Sequence, residues 1–410
     1  MHVLFDRRCI SPVPEPSGSS GGSTRQRTAY GDPHVVGEFG GGGSEIRILF
    51  AIAHLGKGGG VALQAFQLFK ILQRTVDVQL VCLDAPGPHR GLTQEPGVMV
   101  AGPLVFPRGI QTLAQALRSS RRDHDVFHAL DPYYAFPATY LARVFPRIVS
   151  LGTDPGLEIA MRYGPAAGAV TRAAMVPFLS QSVVVTNSQA LAERFQSYHA
   201  RVIPNGLDLR KFERLPTAEE ARRLRGLPTD RTLLSYVGKV IPEKRLEWLL
   251  DVVRRLPDTD AVVVGGYTEE HYGDRYYRQL LATYADVGAR THFIGEVPWD
   301  HVPSYLAASD VFVYPSPWEG SPNAVIEAMA AGVPVVVSDI AAHREIIEHG
   351  RTGFLASDPE SMARFVDTLA KDSRLRQEIG SRGRALVFER FSAEACAQAH
   401  LDLYRDILGS

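Results

Sequence analysis

Two glutamates and two lysines carry the spacing with the most chemical content in this chain. The segment Ser316-Pro-Trp-Glu-Gly-Ser-Pro-Asn-Ala-Val-Ile-Glu-Ala-Met-Ala-Ala-Gly-Val-Pro334 sets Glu319 eight residues before Glu327. Ser321 is a good N-cap and Pro322 suits a first helical position. The spacing therefore predicts a helix from there to about Ala331, stopped by Gly332. Asn323 and Glu327, four apart, share a face of it. The first amides of such a helix, at Asn323 and Ala324 just after Gly320, have no partner within it, and with the helix dipole they form an anion site. Two carboxylates flanking a phosphate there would be repelled by it, so they suit hydroxyl groups on either side. An ordinary helix start with two solvated glutamates accounts for the same spacing.

The lysines lie in Val237-Gly238-Lys239-Val-Ile-Pro242-Glu243-Lys244, after one strand-like run and before a helix-like one. Gly238 lets backbone approach a ligand, and Lys239 and Lys244 could both reach a diphosphate. Exposed loop lysines are the plainer reading. A glycine-rich turn, Gly56-Lys57-Gly58-Gly59-Gly60, follows the first strand and suits phosphate binding. It fails as a dinucleotide fingerprint, because Val61 stands where the third glycine belongs, and it is no P-loop. His128-Ala-Leu-Asp131-Pro-Tyr133-Tyr134 ends another strand, and His128, Asp131 and Tyr133 are expected to face a cleft. A core-edge histidine satisfied by backbone is the other reading. Gly152-Thr-Asp154 is a weaker case of the same kind.

Asp123-His-Asp125 and Asp258-Thr-Asp260 have metal-binding spacing but precede strands, at the amino ends of sheets. They read as exposed acids, and no metal or cofactor is expected. Arg118, Arg121 and Arg122 form a basic run, either a membrane-surface contact or, preferred here, a solvated helix end.

These residues need a scaffold that repeats. Apolar runs at Ile46–Ala53, Val76–Leu83, Asp125–Leu130, Pro146–Leu151, Ser182–Thr186 and Arg201–Pro204 alternate with helical stretches such as Val61–Gln73 and Gln189–Gln196. The alternation restarts with strands at Thr232–Val237, Asp260–Val264, Thr291–Ile294, Asp310–Tyr314 and Pro334–Ser338. Helices are expected at Glu243–Leu256, Tyr276–Ala285, Pro303–Ala308, Pro322–Ala331 and Ala341–Glu348. Near-continuous apolar strands belong in parallel sheets covered on both faces, so the fold class is α/β with two Rossmann-like domains facing across a cleft. The domains are expected at 45–208 and 209–391, joined near Pro204–Phe212, after a Gly/Ser/Pro-rich tail over 1–44. Two helical stretches follow, Ser357–Phe388 with a break near Asp372, and Ser392–Leu408.

Composition excludes several classes. The 410 residues carry 44 Lys and Arg against 45 Asp and Glu, which argues against a nucleic-acid partner. Three scattered cysteines, Cys9, Cys82 and Cys396, form no disulfide framework. No apolar run approaches a membrane span, and MHVLFDRRCI lacks a signal h-region, so a cytoplasmic location is expected.

Together these segments resemble the retaining glycosyltransferases of the GT-B fold, family 4, over about residues 46–408. The resemblance rests on Glu319 and Glu327 in an E-G-x-P-x4-E-A-M-A-x-G-x-P-V frame, on Gly238-x3-Pro-Glu-Lys244, and on Ile203-Pro-Asn-Gly-x-Asp208. It implies transfer of a hexosyl group from a nucleotide diphosphate sugar, UDP-glucose or UDP-N-acetylglucosamine by base rate, to a small-molecule, glycan or lipid-linked acceptor, with no metal. It assigns Glu319 to the donor sugar, Glu327 to ribose hydroxyls, and Lys239 and Lys244 to the diphosphate with the backbone after Gly320. It sets His128 over the sugar, closes Gly58 to Gly60 on the phosphate, and returns helix 392–408 to the first domain. Asp131, Tyr133 and Asp154 become acceptor-side candidates. Lys239 departs from the family's usual arginine, keeping charge but losing the bidentate fork. The first glycine loop also departs, which leaves the acceptor open. A UDP-sugar 2-epimerase of the same architecture and a non-catalytic nucleotide-sugar binder are the alternative readings.

Overall fold

Strands such as Ile48–Ala51 and Val335–Val337 are apolar at consecutive positions and buried at each, so each needs a helical layer on both faces. The computed structural model, which describes residues 46–55, 60–85, 90–267 and 273–409, meets that need twice. The first sheet contains β1 (Arg47–Ala51), β2 (Asp77–Asp84), β3 (Val98–Pro103), β4 (Val126–Ala129), β5 (Arg147–Leu151), β6 (Val183–Thr186) and β7 (Arg201–Val202). They pair in parallel in the order 3-2-1-4-5-6-7. Between them run α1 (Gly60–Leu72), α2 (Arg108–Ser119), α3 (Ala135–Ala142), α4 (Pro155–Tyr163), α5 (Pro165–Leu179) and α6 (Gln189–Arg194).

After α7 (Arg210–Glu213) and α8 (Ala218–Arg225) the pattern repeats. The second sheet holds β8 (Thr232–Val237), β9 (Thr259–Val264), β10 (Thr291–Gly295), β11 (Val311–Tyr314), β12 (Val335–Ser338) and β13 (Phe354–Ala356), parallel in the order 10-9-8-11-12-13. Its helices are α9 (Glu247–Arg255), α10 (Gly273–Thr283), α11 (Val302–Ala307), α12 (Asn323–Ala330), α13 (Ala341–Arg344), α14 (Pro359–Lys371) and α15 (Ser373–Arg390). The last helix, α16 (Ala393–Leu408), leaves this domain and buries Leu401, Leu403 and Tyr404 among Ile48, Phe50 and Leu72 of the first core. Both halves belong to one packed unit, Glu45–Ser410.

Each sheet reverses its winding once, between β1 and β4 and between β8 and β11. Connections leave such a point in opposite directions and open a crevice at the strand carboxyl ends. The Lys239 loop follows β8 and the Glu319 segment follows β11, so the sequence's two most specific segments flank one switch point.

Strands β3 and β13 were not expected from the sequence. β3 is a half-buried edge strand ending in Gly102 and Pro103, residues that β-propensity disfavours. The break near Asp372 is a helix boundary, with the Asp372 carboxylate accepting the Leu375 amide at 2.9 Å to start α15. Among the described residues no helix is long and apolar enough to cross a membrane.

Candidate active site at the second switch point

The centre of the site is an ion pair. Lys244 Nζ lies 2.5 Å from Glu319 Oε1 and 5.6 Å above the Tyr314 ring. Their side chains are 21% and 11% exposed, so water screens the pair only weakly. Burial works against the Lys244 charge, but Glu319 outweighs it and holds the ammonium above its ordinary range. Tyr236 stacks on Tyr314 at 5.4 Å and donates its hydroxyl to the Lys239 carbonyl at 2.9 Å, fixing the loop that joins the two lysines. Gly238 (φ 155) and Gly265 (φ 143) back that loop; a Cβ on Gly265 would fall 1.9 Å from the Gly238 carbonyl oxygen. Lys239 projects from the loop with an exposed side chain, while its ammonium is held below the usual lysine range by lost hydration and then by Arg162.

The start of α12 differs in detail from the expected one. Pro322 (φ −83, ψ 69) occupies the cap position, and no side chain caps the helix. Ser321 instead points its hydroxyl to Asn323 Oδ1 at 3.3 Å. The Asn323 amide is spent on the Ser321 carbonyl at 3.0 Å. Among the described residues, the Ala324 amide has no hydrogen-bond partner, nor have those of Gly320 and Ser321, in the stretch that the resemblance assigns to the diphosphate. Three unpaired donors thus lie within the five residues after Glu319, the carboxylate that Lys244 holds, and such donors stabilise a localised anion. One turn into the helix, burial pushes the Glu327 carboxyl up to about 7, with Lys211 pulling weakly the other way.

The first domain supplies the opposite wall. Asn205, just after β7, donates Nδ2 to Asn323 Oδ1 at 2.9 Å. Glu345 of the second domain accepts the Gln189 and Ala190 amides at 2.9 and 2.5 Å, capping α6 across the cleft. A cavity of about 240 Å³ adjoins the α12 start, walled by Val61, Leu68, Leu130, Val185 and Cys396. That is room for part of a substrate. Sequence reasoning missed Glu345, whose partner lies 155 residues away. Asn205 was within reach, since it stands in the Pro204-Asn205-Gly206 turn. Gly58 and Gly59 lie outside the described residues.

Three first-domain expectations are corrected. His128 does not face the cleft. It is fully buried, with Nδ1 2.8 Å from the Tyr404 hydroxyl and Nε2 2.6 Å from Ser150 Oγ, and its ring lies 5.6 Å from that of His400. Helix α16 seals it, and His400 and Tyr404, four apart on that helix, were the readable signal. Asp131 is an Asx cap, its carboxylate accepting the Tyr133, Tyr134 and Ala135 amides at 3.1, 2.7 and 3.2 Å. Burial pushes it up to about 6 against those donors. Asp154 caps α4 through the Leu157 amide and binds Arg172 and Arg194 at 2.7 and 2.6 Å. Both carboxylates are consumed by structure. Tyr133 remains at the surface, its hydroxyl donating to Glu158 at 3.2 Å. Asp125 pairs with Arg47 and Asp260 with Arg231, away from the switch point.

Burial holds His128 well below its ordinary value and brings His400 down to about 4. The unfolded chain therefore binds protons that the fold refuses, and stability is lost as pH falls from about 6.5 toward 4. The raised carboxyls of Asp131 and Glu327 act in the opposite direction, so the rings' effect is read as a difference: relative to wild type, His400→Gln should gain melting temperature as pH falls from 7 to 5. A constant offset between variant and wild type across that range would deny the ring the effect. His128→Ala should cost about 1–3 kcal/mol by stranding Tyr404 and Ser150, while nucleotide affinity, followed by calorimetry, stays within twofold.

Comparison with known proteins identifies the family and the fold. The family model described as Glycosyltransferase Family 4 matches residues 58–211, and that described as Glycosyl transferases group 1 matches residues 217–386. HepE of Anabaena, solved in complex with UDP and glucose, superposes with a TM-score of 0.75 at 22% identity, over 88% of this chain and 100% of that one. The lipopolysaccharide core biosynthesis mannosyltransferase LpsB of Rhizobium meliloti is 28% identical over 215 residues, 50% of this chain and 61% of that protein. The UDP-Gal:alpha-D-GlcNAc-diphosphoundecaprenol alpha-1,3-galactosyltransferase of Escherichia coli is 28% identical over 217 residues, 50% of this chain and 54% of that protein. The chain spans about three fifths of the length of such curated relatives. With two family models covering its two domains, the chain belongs to the glycosyltransferases of the GT-B fold.

Proposed function

We propose that this protein transfers a hexosyl group, with retention and without a metal, from UDP-glucose or UDP-N-acetylglucosamine to a hydroxyl of a glycan or lipid-linked acceptor in the cytoplasm. The observation that carries the reading is the convergence of Lys244, Glu319, Lys239 and the α12 amides on the second switch point. Breaking the bond between sugar C1 and the diphosphate leaves growing negative charge on the leaving oxygens. Two ammonium groups and the α12 amides stabilise that charge, and Lys244 does so from a position that water reaches poorly, where such a donor acts strongly. The acceptor oxygen bonds to C1 on the face the diphosphate leaves, and its proton passes to a phosphate oxygen, so no protein base is needed. Glu319 accepts a donor-sugar hydroxyl, and Glu327 accepts the ribose hydroxyls. HepE, complexed with UDP and glucose, and the galactosyltransferase, whose name gives a UDP-sugar donor and a lipid-linked acceptor, support the donor class and acceptor type.

Slow donor hydrolysis tests this without knowledge of the acceptor. Proton NMR of the protein with UDP-glucose should show UDP release and α-glucose as the first sugar formed, unchanged by EDTA. First appearance of β-glucose would remove retention. With UDP-N-acetylglucosamine, a UDP-linked epimer with no UDP release would establish the epimerase instead. GDP, but not UDP, raising the melting temperature would displace the donor assignment.

A further inference from the structure

Arg162 reaches the second domain from α4. Its Nη2 donates to Glu158 Oε1 at 3.1 Å, one turn back, and its Nε lies 3.4 Å from Oε1 of Glu243, the residue before Lys244. The second contact falls short of a hydrogen bond. Among the described residues, the buried Nε–H of Arg162 donates to nothing, and Glu243 Oε2 accepts nothing. Buried polar atoms left in this state are costly and call for a partner. The guanidinium is 20% exposed and stands near enough to Lys239 to depress its ammonium, as does Lys244. Three cations, two from the second domain and one from the first, therefore crowd one slot. Glu319 engages Lys244, and Glu158 engages Arg162 through Nη2 alone, so the guanidinium of Arg162 keeps its Nε–H without a partner.

We infer that Arg162 is the third cation of the diphosphate slot: a diphosphate lying between Lys239 and Lys244 takes the Arg162 guanidinium as its partner in place of Glu243. The inference rests on the glycosyl-transfer reading of that slot. A planar guanidinium presents two parallel N–H donors to phosphate oxygens, which neither lysine can do. Because Arg162 belongs to the first domain, the diphosphate becomes a bridge, and binding the donor draws the two walls together. Glu243 then acts as a competitor that holds Arg162 near the slot until an anion displaces it.

Calorimetric titration of the full chain with UDP, and separately with inorganic pyrophosphate, tests this in Arg162→Gln, Arg162→Lys, Glu243→Gln and Lys244→Ala. Arg162→Gln should weaken both ligands by about tenfold or more, Arg162→Lys by less, and Glu243→Gln should tighten both. Tightening is the readout a structural strut would not give. Wild-type affinity in Arg162→Gln, with affinity lost in Lys244→Ala, overturns the inference and leaves the slot reading intact. Weakening in Glu243→Gln equal to that in Arg162→Gln also overturns it, by making the pair a strut. Wild-type affinity in Lys244→Ala removes the slot reading itself. Should Arg162→Gln fail to fold, Arg162→Lys and Glu243→Gln must still shift in opposite directions.

Discussion

Lys244→Ala should lower turnover by about 10²–10³-fold, the usual effect of deleting one group aimed at developing anionic charge. The cation sits 2.5 Å from Glu319 at the switch point. The same change strands Glu319, whose side chain is 11% exposed. Breaking a fully buried pair costs about 3–5 kcal/mol. Here Lys244 keeps 21% exposure and Glu319 can turn toward the cleft, so about 1–2 kcal/mol is the expected loss. That loss moves the melting temperature by only a few degrees, so rates taken well below it isolate the chemical effect. Single-turnover measurements at saturating donor are the check, with Glu319→Gln alongside. Glu319→Gln removes the counter-ion but keeps a hydroxyl acceptor, so it should retain more activity than Glu319→Ala. A Lys244→Ala enzyme within a few-fold of wild type would mean that the leaving group is stabilised elsewhere.

The second domain's half of the site was legible because its chemistry and its backbone device share short segments. Gly238 to Lys244 is strand end, turn and cations in one stretch, and Glu319 to Glu327 is carboxylate, helix start and carboxylate in another. Local periodicity is enough to orient such segments. The first domain's half was not legible, because its side chains take their meaning from partners far along the chain. His128 is 276 residues from Tyr404, and nothing around residue 128 announces that a terminal helix will cover it. Asp154 was misread although its signal is local: an aspartate directly before Pro155 is a helix N-cap, and its carboxylate is then already engaged. Glu345 and Arg162 act across the cleft, where surface glutamate and arginine are indistinguishable in sequence from solvated ones.

The contact between domains is also where the smallest substitution should do the most. Gly320→Ala should reduce transfer by about 10²-fold while weakening UDP by no more than the roughly tenfold that loss of the Arg162 contact gives. Gly320 does not hold a positive φ, so alanine suits its own loop without backbone strain. What it cannot suit is the other domain. A Cβ there would lie 2.0 Å from the Gly152 carbonyl oxygen and 3.4 Å from Thr153 Cα. Backbone cannot rotate aside as a side chain can, so relief requires the walls to part. Reaching the 3.4 Å of an ordinary contact takes about 1.4 Å of opening. The lysines and α12 move together with the second domain, so their share of the nucleotide site survives and only the contact from Arg162 is stretched. The reacting ends do not, because the acceptor wall stands back and water enters. Donor hydrolysis should therefore rise relative to transfer, and small-angle scattering with UDP should show a more open particle than wild type. Transfer at the wild-type rate in Gly320→Ala would mean that the reacting arrangement is more open than the one in which Gly320 meets Gly152.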